Sequence, residues 1–449
     1  MAIWFYLYAR KDDGIKLQKM KILAITAHYP PYHFGGYELR IKNIMDELSH
    51  RGHEILVITS IKDTSSRGTN QAASYEIFRR LHVCLKNESF ISRLTLNRAS
   101  YLFGILLAFT RELFFDLLDI AFVDRQIQNF QPDIIYLGHT FILTRTLMPY
   151  FSTCIIPILY DEGGVGLIGS WEERGIWHRF VEEHISRYSI FNAIRPLIVK
   201  AVCTASAQRI KPKWDWPIKM EILFNSELNR RNTIARGVPV GQARVIHSGI
   251  DIKKFDYCQK NKPGSPLIFI VPGRFEPGKG QIDAVRLLAT LREHGIDSNM
   301  VLVGEKWSDS FYLEIIKEIN DLRLGDWITF LPMITQDKLV DLYHQADICF
   351  FPSYFRTGFS RIPLEAMACG CVVISYGNEG SDEIIRDKRN GFLVPPAEYG
   401  QITEVVKELI ANPNTFTNVL DTARKEVADT YSLPRYVDQI EEFINCEVL

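Results

Sequence analysis

The sequence predicts an α/β protein with parallel sheets, divided into two domains of similar size. Apolar runs typical of buried strands alternate with amphipathic stretches along the chain. The alternation begins with KILAIT at 21–26 and begins afresh with LIFIVPG at 267–273, after the polar segment QKNKPGSP. A chain of 449 residues is also long for a single hydrophobic core. We therefore expect two domains that face each other across a cleft.

The first half opens with a strand–helix–strand unit. KILAIT precedes a turn-rich segment and a helix whose apolar positions are spaced by four, three and four residues: Tyr37, Ile41, Ile44 and Leu48. The helix is expected to stop at Arg51-Gly52, before the strand HEILVIT at 53–59. Further strands are predicted at 133–138, 154–160 and 196–206, and helices at 86–130 and 225–237.

The second half repeats the alternation more regularly. Strands are predicted in LIFIVPG, NMVLVG, WITFLP, DICFFPS and CVVISYG, and helices in QIDAVRLLATLREHG, DKLVDLYHQA and PLEAMACG. The boundary between the domains falls near 240–262. We divide the chain into an N-terminal extension ahead of the natural first strand, two domains and a C-terminal helix that packs back on the first domain, with bounds 1–19, 20–245, 246–430 and 431–449.

Charge and composition exclude several classes of function. The formal net charge is −1, so no overall field attracts nucleic acid. The eight cysteines form no CxxC or Cys/His ligand pattern, which argues against a metal site. The apolar run at 101–110 stops at Arg111, short of the roughly 20 residues that span a bilayer. We expect a cytoplasmic protein whose membrane contact, if any, is peripheral at the inner membrane face.

The stretch PGRFEPGKGQIDAV at 272–285 is the best candidate anion site. Arg274 and Lys279 flank a short turn, and Lys279 stands directly before a predicted helix. Two cations beside the free amide groups of a helix N-terminus suit a phosphate. A solvated basic turn is an equally good interpretation of this pattern alone.

Three other stretches carry weaker signals. In RTGFSRIPLEAMACG, Glu365 lies just inside a helix start, where it could accept hydrogen bonds from ribose hydroxyls or simply complement the helix dipole. Gly35 and Gly36 follow the first strand and permit close approach of a ligand. Asp161 and Glu162 are expected to follow the strand at 154–160 and to face the cleft.

Together these residues resemble the retaining nucleotide-sugar glycosyltransferases of family 4, which have the GT-B architecture of two facing Rossmann-like domains. The motifs occur in the family's order: PYHFGGYE, VIHSGID, GRFEPGKG, LEAMACGCVVIS and DEIIRDKRNGFLVPP. VIHSGID resembles the entry strand of the C-terminal domain. The resemblance implies an acceptor-side first domain and a donor-binding second domain.

The resemblance also implies a role for each matched residue. Arg274 and Lys279 would neutralise the donor diphosphate, and Glu365 would bind the ribose. Backbone groups of 358–360 (Gly358, Phe359 and Ser360) would cradle the transferred sugar or its phosphate, while Gly36 approaches from the other domain. No metal and no cofactor beyond the nucleotide-sugar co-substrate is expected. The acceptor would be a glycan, a lipid-linked sugar or a small molecule.

Two positions depart from the family pattern. Many members have glutamate where this chain has Thr357, at the sugar end of the donor site. Many also have histidine before the aspartate that corresponds to Asp161, where this chain has Tyr160. We assign Tyr160 and Asp161 to the catalytic region, and Thr357 to donor binding. The alternative to an active transferase is a non-catalytic nucleotide-sugar-binding protein or partner subunit.

Overall fold

A computed structural model of the chain describes residues 19–32, 36–61, 74–83, 98–138, 140, 143, 147–164, 197, 200, 219–241, 243–356 and 358–448. Its strands form two sheets, and every pairing within them is parallel. The first sheet contains β1 (Lys21–Thr26), β2 (Glu54–Ser60), β3 (Glu76–Leu81), β4 (Ile134–Leu137), β5 (Ile158–Glu162), β6 (Met220–Phe224) and β7 (Ala243–Val245). The second contains β8 (Leu267–Pro272), β9 (Ser298–Val303), β10 (Ile328–Leu331), β11 (Ile348–Phe351), β12 (Val372–Ser375) and β13 (Phe392–Leu393).

The strand orders are β3-β2-β1-β4-β5-β6-β7 in the first sheet and β10-β9-β8-β11-β12-β13 in the second. Each order reverses beside the strand that begins the sheet, β1 or β8. Loops at the carboxyl ends of the strands next to such a reversal form the usual ligand crevice of an open parallel sheet. The α/β fold class predicted from the sequence is therefore confirmed.

Helices connect the strands and cover the sheets. The described helices are α1 (Gly36–His50), α2 (Arg98–Phe130), α3 (Leu147–Phe151), α4 (Glu227–Ala235), α5 (Gln281–Glu293), α6 (Asp309–Asp321), α7 (Gln336–Gln345), α8 (Ile362–Cys369), α9 (Ser381–Ile384), α10 (Tyr399–Ala411), α11 (Pro413–Thr430) and α12 (Leu433–Phe443). A 3₁₀ turn covers Gly325–Trp327, and a π-helical turn covers Ile444–Val448.

Both faces of each sheet are buried, which explains why the strands are apolar throughout rather than alternating. In β1, Leu23 and Ile25 pack into one apolar cluster, whereas Ile22 and Ala24 pack into another on the opposite face. A parallel sheet requires this double cover because its crossover helices lie on its faces. We call the first sheet with its packed helices the first domain, and the second sheet with its helices the second domain.

The last helix returns to the first domain. Tyr436, Val437 and Ile440 of α12 belong to the same apolar cluster as Ile41 of α1. At the edge of this contact, His53 Nε2 lies 2.8 Å from an oxygen of Glu441. The chain therefore crosses between the domains twice, at residues near 246 and near 431.

Several predicted elements differ from the structure. Strand β5 begins at Ile158 and includes Asp161 and Glu162, which the sequence analysis placed after the strand. Pro157 explains the shift, because a proline has no amide hydrogen for a central strand. In the range 196–206, Leu197 and Lys200 are helical, so the predicted strand is wrong there; the other residues of that range lie outside the described residues.

Four further strands were missed or misplaced. Strands β3, β6 and β13 were not predicted, and Ala243–Val245 is an edge strand of the first sheet. The resemblance had made VIHSGID, which begins at Val245, the entry strand of the second domain. Helix α2 includes the apolar run at 101–110. Among the described helices, none combines the length and the apolarity needed to cross a bilayer.

Candidate active site

The turn between β8 and α5 carries the predicted anion site. It packs tightly against the carboxyl end of β11, because a Cβ atom on Gly280 would lie 2.1 Å from the carbonyl oxygen of Pro352. Gly280 has a φ of 73° and caps α5 without a side chain, so the first amides of this helix have no side-chain cap. Amides in this position, at the positive end of a helix dipole, suit an anion.

Lys279 lies beside these amides and forms an ion pair. Its Nζ atom lies 2.7 Å and 2.8 Å from the two carboxylate oxygens of Glu379, and 5.0 Å from the centroid of the Phe355 ring. The two side chains are 13% and 12% exposed. The pair is therefore close to the surface of the cleft, and it places a carboxylate where an anion site was expected.

Arg274 is more open. Its Nη2 atom lies 2.8 Å from Glu276 Oε1, and the guanidinium group lies 4.7 Å from the centroid of the Trp307 ring. The Arg274 side chain is 40% exposed, about three times as much as that of Lys279. The carbonyl group of Arg274 accepts a hydrogen bond of 2.9 Å from Gln281 Nε2, which fixes the turn to the helix start.

The segment 358–360 connects the second domain to the first. The Gly358 amide donates to Asn229 Oδ1 at 2.8 Å, and the Gly358 carbonyl accepts from Ser226 Oγ at 3.1 Å. Ser226 is also the N-cap of α4, accepting from the Asn229 amide at 3.2 Å. The Gly358 amide hydrogen is thus bonded to the first domain, and its binding of a donor stays a prediction. Thr357 lies outside the described residues.

The next two residues of this segment face the loop before α9. The Ser360 amide donates to the Glu379 carbonyl at 2.9 Å, so it too is bonded within the protein. The Phe359 ring lies 5.4 Å from the His247 ring. His247 Nε2 in turn lies 2.7 Å from a carboxylate oxygen of Glu383. Of the three backbone positions predicted to cradle the sugar, two are thus engaged in protein contacts.

Glu383 connects the two domains directly. Its carboxylate oxygens accept from the amides of Glu227 and Leu228, at 2.9 Å and 3.1 Å, at the start of α4 in the first domain. Although burial opposes the shift, His247 and these two amides hold the pKa of Glu383 below its usual value. The carboxylate therefore acts as an ionised cap, supplied by one domain, on a helix of the other.

Glu365 lies in the first turn of α8 and is largely buried. Its nearest charged partner is Arg361, with Nη2 3.7 Å from Glu365 Oε1. Burial raises the pKa of the Glu365 carboxyl, against the opposing effect of Arg361. A Cβ atom on Gly36 of the first domain would lie 3.5 Å from both Nε and Nη2 of Arg361. Gly36 and Glu365 are thus brought to the same guanidinium group from opposite domains, whereas Gly35 lies outside the described residues.

Tyr160 and Asp161 lie within β5 and are buried, whereas the sequence placed Asp161 after the strand and facing the cleft; their catalytic roles stay a prediction. Tyr160 is 1% exposed and packs in an apolar core cluster. The Asp161 side chain is fully enclosed, with Oδ1 2.6 Å from Arg40 Nη2 and Oδ2 bonded to the Tyr136 hydroxyl. Burial raises the pKa of the Asp161 carboxyl, and Arg40 opposes that shift. Both side chains are thus buried within the first domain, and Asp161 is engaged by Arg40.

Sequence reasoning missed Glu379, Arg361 and Asn229. Glu379 and Lys279 are 100 residues apart, and no spacing rule relates a turn residue to a cation at that distance. Arg361 stands inside the motif that was singled out, so its charge beside Glu365 was the available signal. Asn229 is a buried polar residue on a short helix, a placement that the sequence does not reveal.

Comparison with known proteins agrees with this architecture. Residues 253–426 match the family described as glycosyl transferases group 1. Glycogen synthase of Mycobacterium tuberculosis is 19% identical over 422 residues, which cover 92% of this chain and 91% of that protein.

Two solved structures share the fold. A glycosyltransferase from Rickettsia africae has a TM-score of 0.66 at 16% identity, covering 95% of this chain and 98% of that one. The Anabaena protein Alr3699/HepE, in complex with UDP-glucose, has a TM-score of 0.61 at 18% identity, covering 95% and 99%. The group 1 match lies on the domain that holds Lys279 and Glu365, and the two-domain fold extends over nearly the whole chain. The chain therefore has the two-domain GT-B fold of these solved structures, and its residues 253–426 match the group 1 glycosyl transferase family.

Proposed function

We propose that this protein transfers a sugar from a nucleoside-diphosphate sugar to its acceptor with retention of anomeric configuration and without a bound metal. The observation that carries the proposal is Lys279 beside the uncapped N-terminus of α5, at the edge of the cleft between the domains. A cation and helix amides in this arrangement stabilise the negative charge that develops on a leaving diphosphate.

Lys279 is the principal group on the diphosphate. Its ammonium is less exposed than the guanidinium of Arg274, so its interaction with an anion is less weakened by water. Arg274 is the more exposed second cation, and to bind a phosphate it must exchange its carboxylate partner, Glu276, as Lys279 must exchange Glu379. Glu365 and Arg361 form the remaining polar pair of the site, next to Gly36. We assign the ribose hydroxyls to Glu365.

The reaction proceeds by attack on the face from which the diphosphate departs. This mechanism needs no enzyme carboxylate as nucleophile, and Asp161, the acid that sequence placed nearest the chemistry, is bonded to Arg40. Lys279 and Arg274 stabilise the negative charge that develops on the diphosphate. Among the described residues, no group of three or more His, Cys, Asp or Glu side chains is arranged to hold a metal ion. The nucleotide sugar is the only co-substrate in this proposal.

The acceptor is a glycan, a lipid-linked sugar or a small molecule, and the first domain binds it. The glycogen synthase relative and the UDP-glucose bound in the Alr3699/HepE structure support a hexose donor and a glycan acceptor. A cytoplasmic protein with peripheral contact at the inner membrane face fits two exposed apolar side chains one turn apart on α2, Phe114 and Leu118.

A donor panel tests the proposal. UDP, GDP, ADP and TDP, each alone and as its glucose conjugate, are titrated against the purified chain while its melting temperature is measured. A ligand that binds only the native state raises the melting temperature. At a ligand concentration of 100 times the dissociation constant, the free energy of unfolding increases by about 2.7 kcal/mol. The conjugate that binds is then incubated with acceptors, in the presence of EDTA, and the anomeric configuration of the product is determined by NMR.

We expect stabilisation by one base, turnover in EDTA and a product with the configuration of the donor. Stabilisation by none of the eight ligands overturns the proposal. Binding without transfer to any acceptor supports the alternative, a nucleotide-sugar-binding partner subunit. Loss of turnover in EDTA overturns metal independence, and an inverted product overturns retention.

A further inference from the structure

We propose that Glu379 determines sugar recognition in the donor site: its carboxylate leaves Lys279 when the diphosphate binds and then accepts hydrogen bonds from hydroxyl groups of the sugar to be transferred. The inference rests on the proposed function, because it assigns the diphosphate to Lys279. The cation best placed for an anion is held at 2.7 Å and 2.8 Å by a carboxylate of the same chain.

The backbone of Glu379 is fixed, so only its side chain is free to change partner. The Glu379 amide donates to the Phe355 carbonyl at 3.1 Å, and its carbonyl accepts from the Ser360 amide at 2.9 Å. Its φ of 51° is uncommon for a residue with a side chain, and such positions recur at ligand sites. These bonds hold Glu379 against Phe355 and against Ser360, the last residue of the segment 358–360 that contacts Asn229.

The carboxylate cannot simply stay where it is when a diphosphate arrives. Phosphate oxygens bind a lysine ammonium at about 2.7–2.9 Å, the distance that the Glu379 oxygens now occupy. A displaced carboxylate that kept no partner would lie next to the phosphate charges, at 12% exposure, and would repel them.

The donor itself supplies the partner that the carboxylate needs. A carboxylate accepts hydrogen bonds and donates none, and the hydroxyl groups of the sugar are the donors attached directly to the diphosphate. Since the sugar is covalently bonded to the phosphate on Lys279, its hydroxyls arrive within one side-chain rotation of Glu379. A nucleoside diphosphate that lacks the transferred sugar offers only its ribose hydroxyls, which we assign to Glu365, so it displaces the Glu379 carboxylate without giving it a new partner. Glu379 therefore favours the intact donor over the released product.

The variant Glu379→Gln tests this, with calorimetric dissociation constants for UDP, GDP, ADP and TDP, each alone and as its glucose conjugate. Removing the charge frees Lys279, so the diphosphate alone binds about tenfold more tightly than to the original chain. The preference for the conjugate over the diphosphate falls by about tenfold, because a charged acceptor of hydroxyl hydrogen bonds is lost. An increase in affinity for the diphosphate together with a decrease in the preference for the conjugate indicates a loss of sugar recognition. General damage to the site would weaken the binding of both ligands.

Two further variants keep the test decisive. Glu379→Gly removes the carboxylate at a backbone angle that glycine adopts without strain, and it repeats the result if glutamine perturbs folding. Glu276→Gln is the matched control, since it frees Arg274 in the same way. It is expected to tighten the diphosphate without lowering the preference for the conjugate.

If Glu379→Gln binds the diphosphate normally and keeps the original preference for the glucose conjugate over the diphosphate, the inference is overturned and the proposed function is left intact. The inference is also overturned if Glu276→Gln lowers the preference for the conjugate as much as Glu379→Gln does, because the loss of any nearby negative charge would then explain the effect. If the unaltered chain binds none of the eight ligands, the proposed function fails and the inference fails with it.

Discussion

Each domain contains an ion pair of nearly the same length in a different environment. In the first domain, Arg40 Nη2 and Asp161 Oδ1 are 2.6 Å apart, with side chains 3% and 0% exposed. In the second, Lys279 Nζ and Glu379 Oε1 are 2.7 Å apart, with side chains 13% and 12% exposed. The first pair also bonds to its surroundings, since Arg40 donates to Ser248 at 3.1 Å and Asp161 accepts from Tyr136.

The difference lies in which pair can exchange its partners. Opening the buried pair would leave two charges without water and with only neutral partners, Ser248 for Arg40 and Tyr136 for Asp161, which is strongly unfavourable. The pair at the cleft can open, because a phosphate replaces the carboxylate and solvent or a ligand replaces the ammonium. We infer that Arg40 and Asp161 hold the fold, whereas Lys279 and Glu379 serve the ligand.

The largest effect is expected from Asp161→Asn. The substitution leaves Arg40 charged and buried, so the melting temperature falls with a loss of about 3–5 kcal/mol in the free energy of unfolding. Arg40→Met combined with Asp161→Asn is expected to recover part of that loss, since no unpaired charge remains. A variant with unchanged melting temperature but reduced turnover would restore the catalytic role that sequence gave to Asp161.

Lys279→Ala is expected to lower kcat/KM for the donor by about 10²–10³-fold, the usual loss when one group that stabilises developing charge is removed. Circular dichroism should show a folded protein, because the site is at the cleft surface. Lys407→Ala is the control, as it removes an exposed lysine paired only with Glu404 and should leave turnover intact. Unaltered donor turnover in Lys279→Ala would contradict the assignment of the diphosphate.

Glu383→Gln removes a charged cap between the domains and is expected to cost about 1.5–3 kcal/mol at neutral pH. The pKa of Glu383 is lowered in the folded protein, so its stabilisation is present above the unfolded pKa and is lost as pH falls through the folded pKa. Melting temperatures of both proteins between pH 7 and pH 3 should therefore converge in acid. A gap that widens in acid would show that the carboxylate is not ionised in the folded state.

Ser226→Ala should have the smallest effect, about 1 kcal/mol from loss of the α4 cap. It also removes the donor to the Gly358 carbonyl, so donor affinity should fall with stability. Ser308→Ala, which removes the cap of α6 away from the domain contact, is the matched comparison. Equal donor affinity in the two variants would indicate that the Ser226–Gly358 contact does not support the site.

The two domains also differ in how well sequence predicts them. In the second, the strands are short apolar runs bounded by glycine and proline, and all five that were predicted are present. In the first, β3 reads EIFRRL and has charged residues in an edge strand, so it lacks the apolar run that identified the others. Edge strands are half-exposed, and their composition resembles that of a loop.

The site was predictable where its residues lie close together in the chain. Lys279 was found because a cation, a glycine and a helix start are adjacent in sequence. Glu379 and Asn229 were not found, since each comes to the site by folding from a distant segment. Asp161 was misplaced for a different reason: the predicted strand ended at residue 160 instead of 162, so a core residue was taken for a loop residue.

The two hydrogen bonds of Gly358 also couple the position of one domain to the chemistry of the other. Its amide and carbonyl are held by Asn229 and Ser226, and two residues later Ser360 holds the backbone of Glu379. Any rotation that opens the cleft must break the first contacts or pull the segment with it, and Glu379 is bonded to that segment. A change in the angle between the domains is thus expected to move Glu379, the partner of Lys279, at the same time. In an open molecule the donor site would be disassembled.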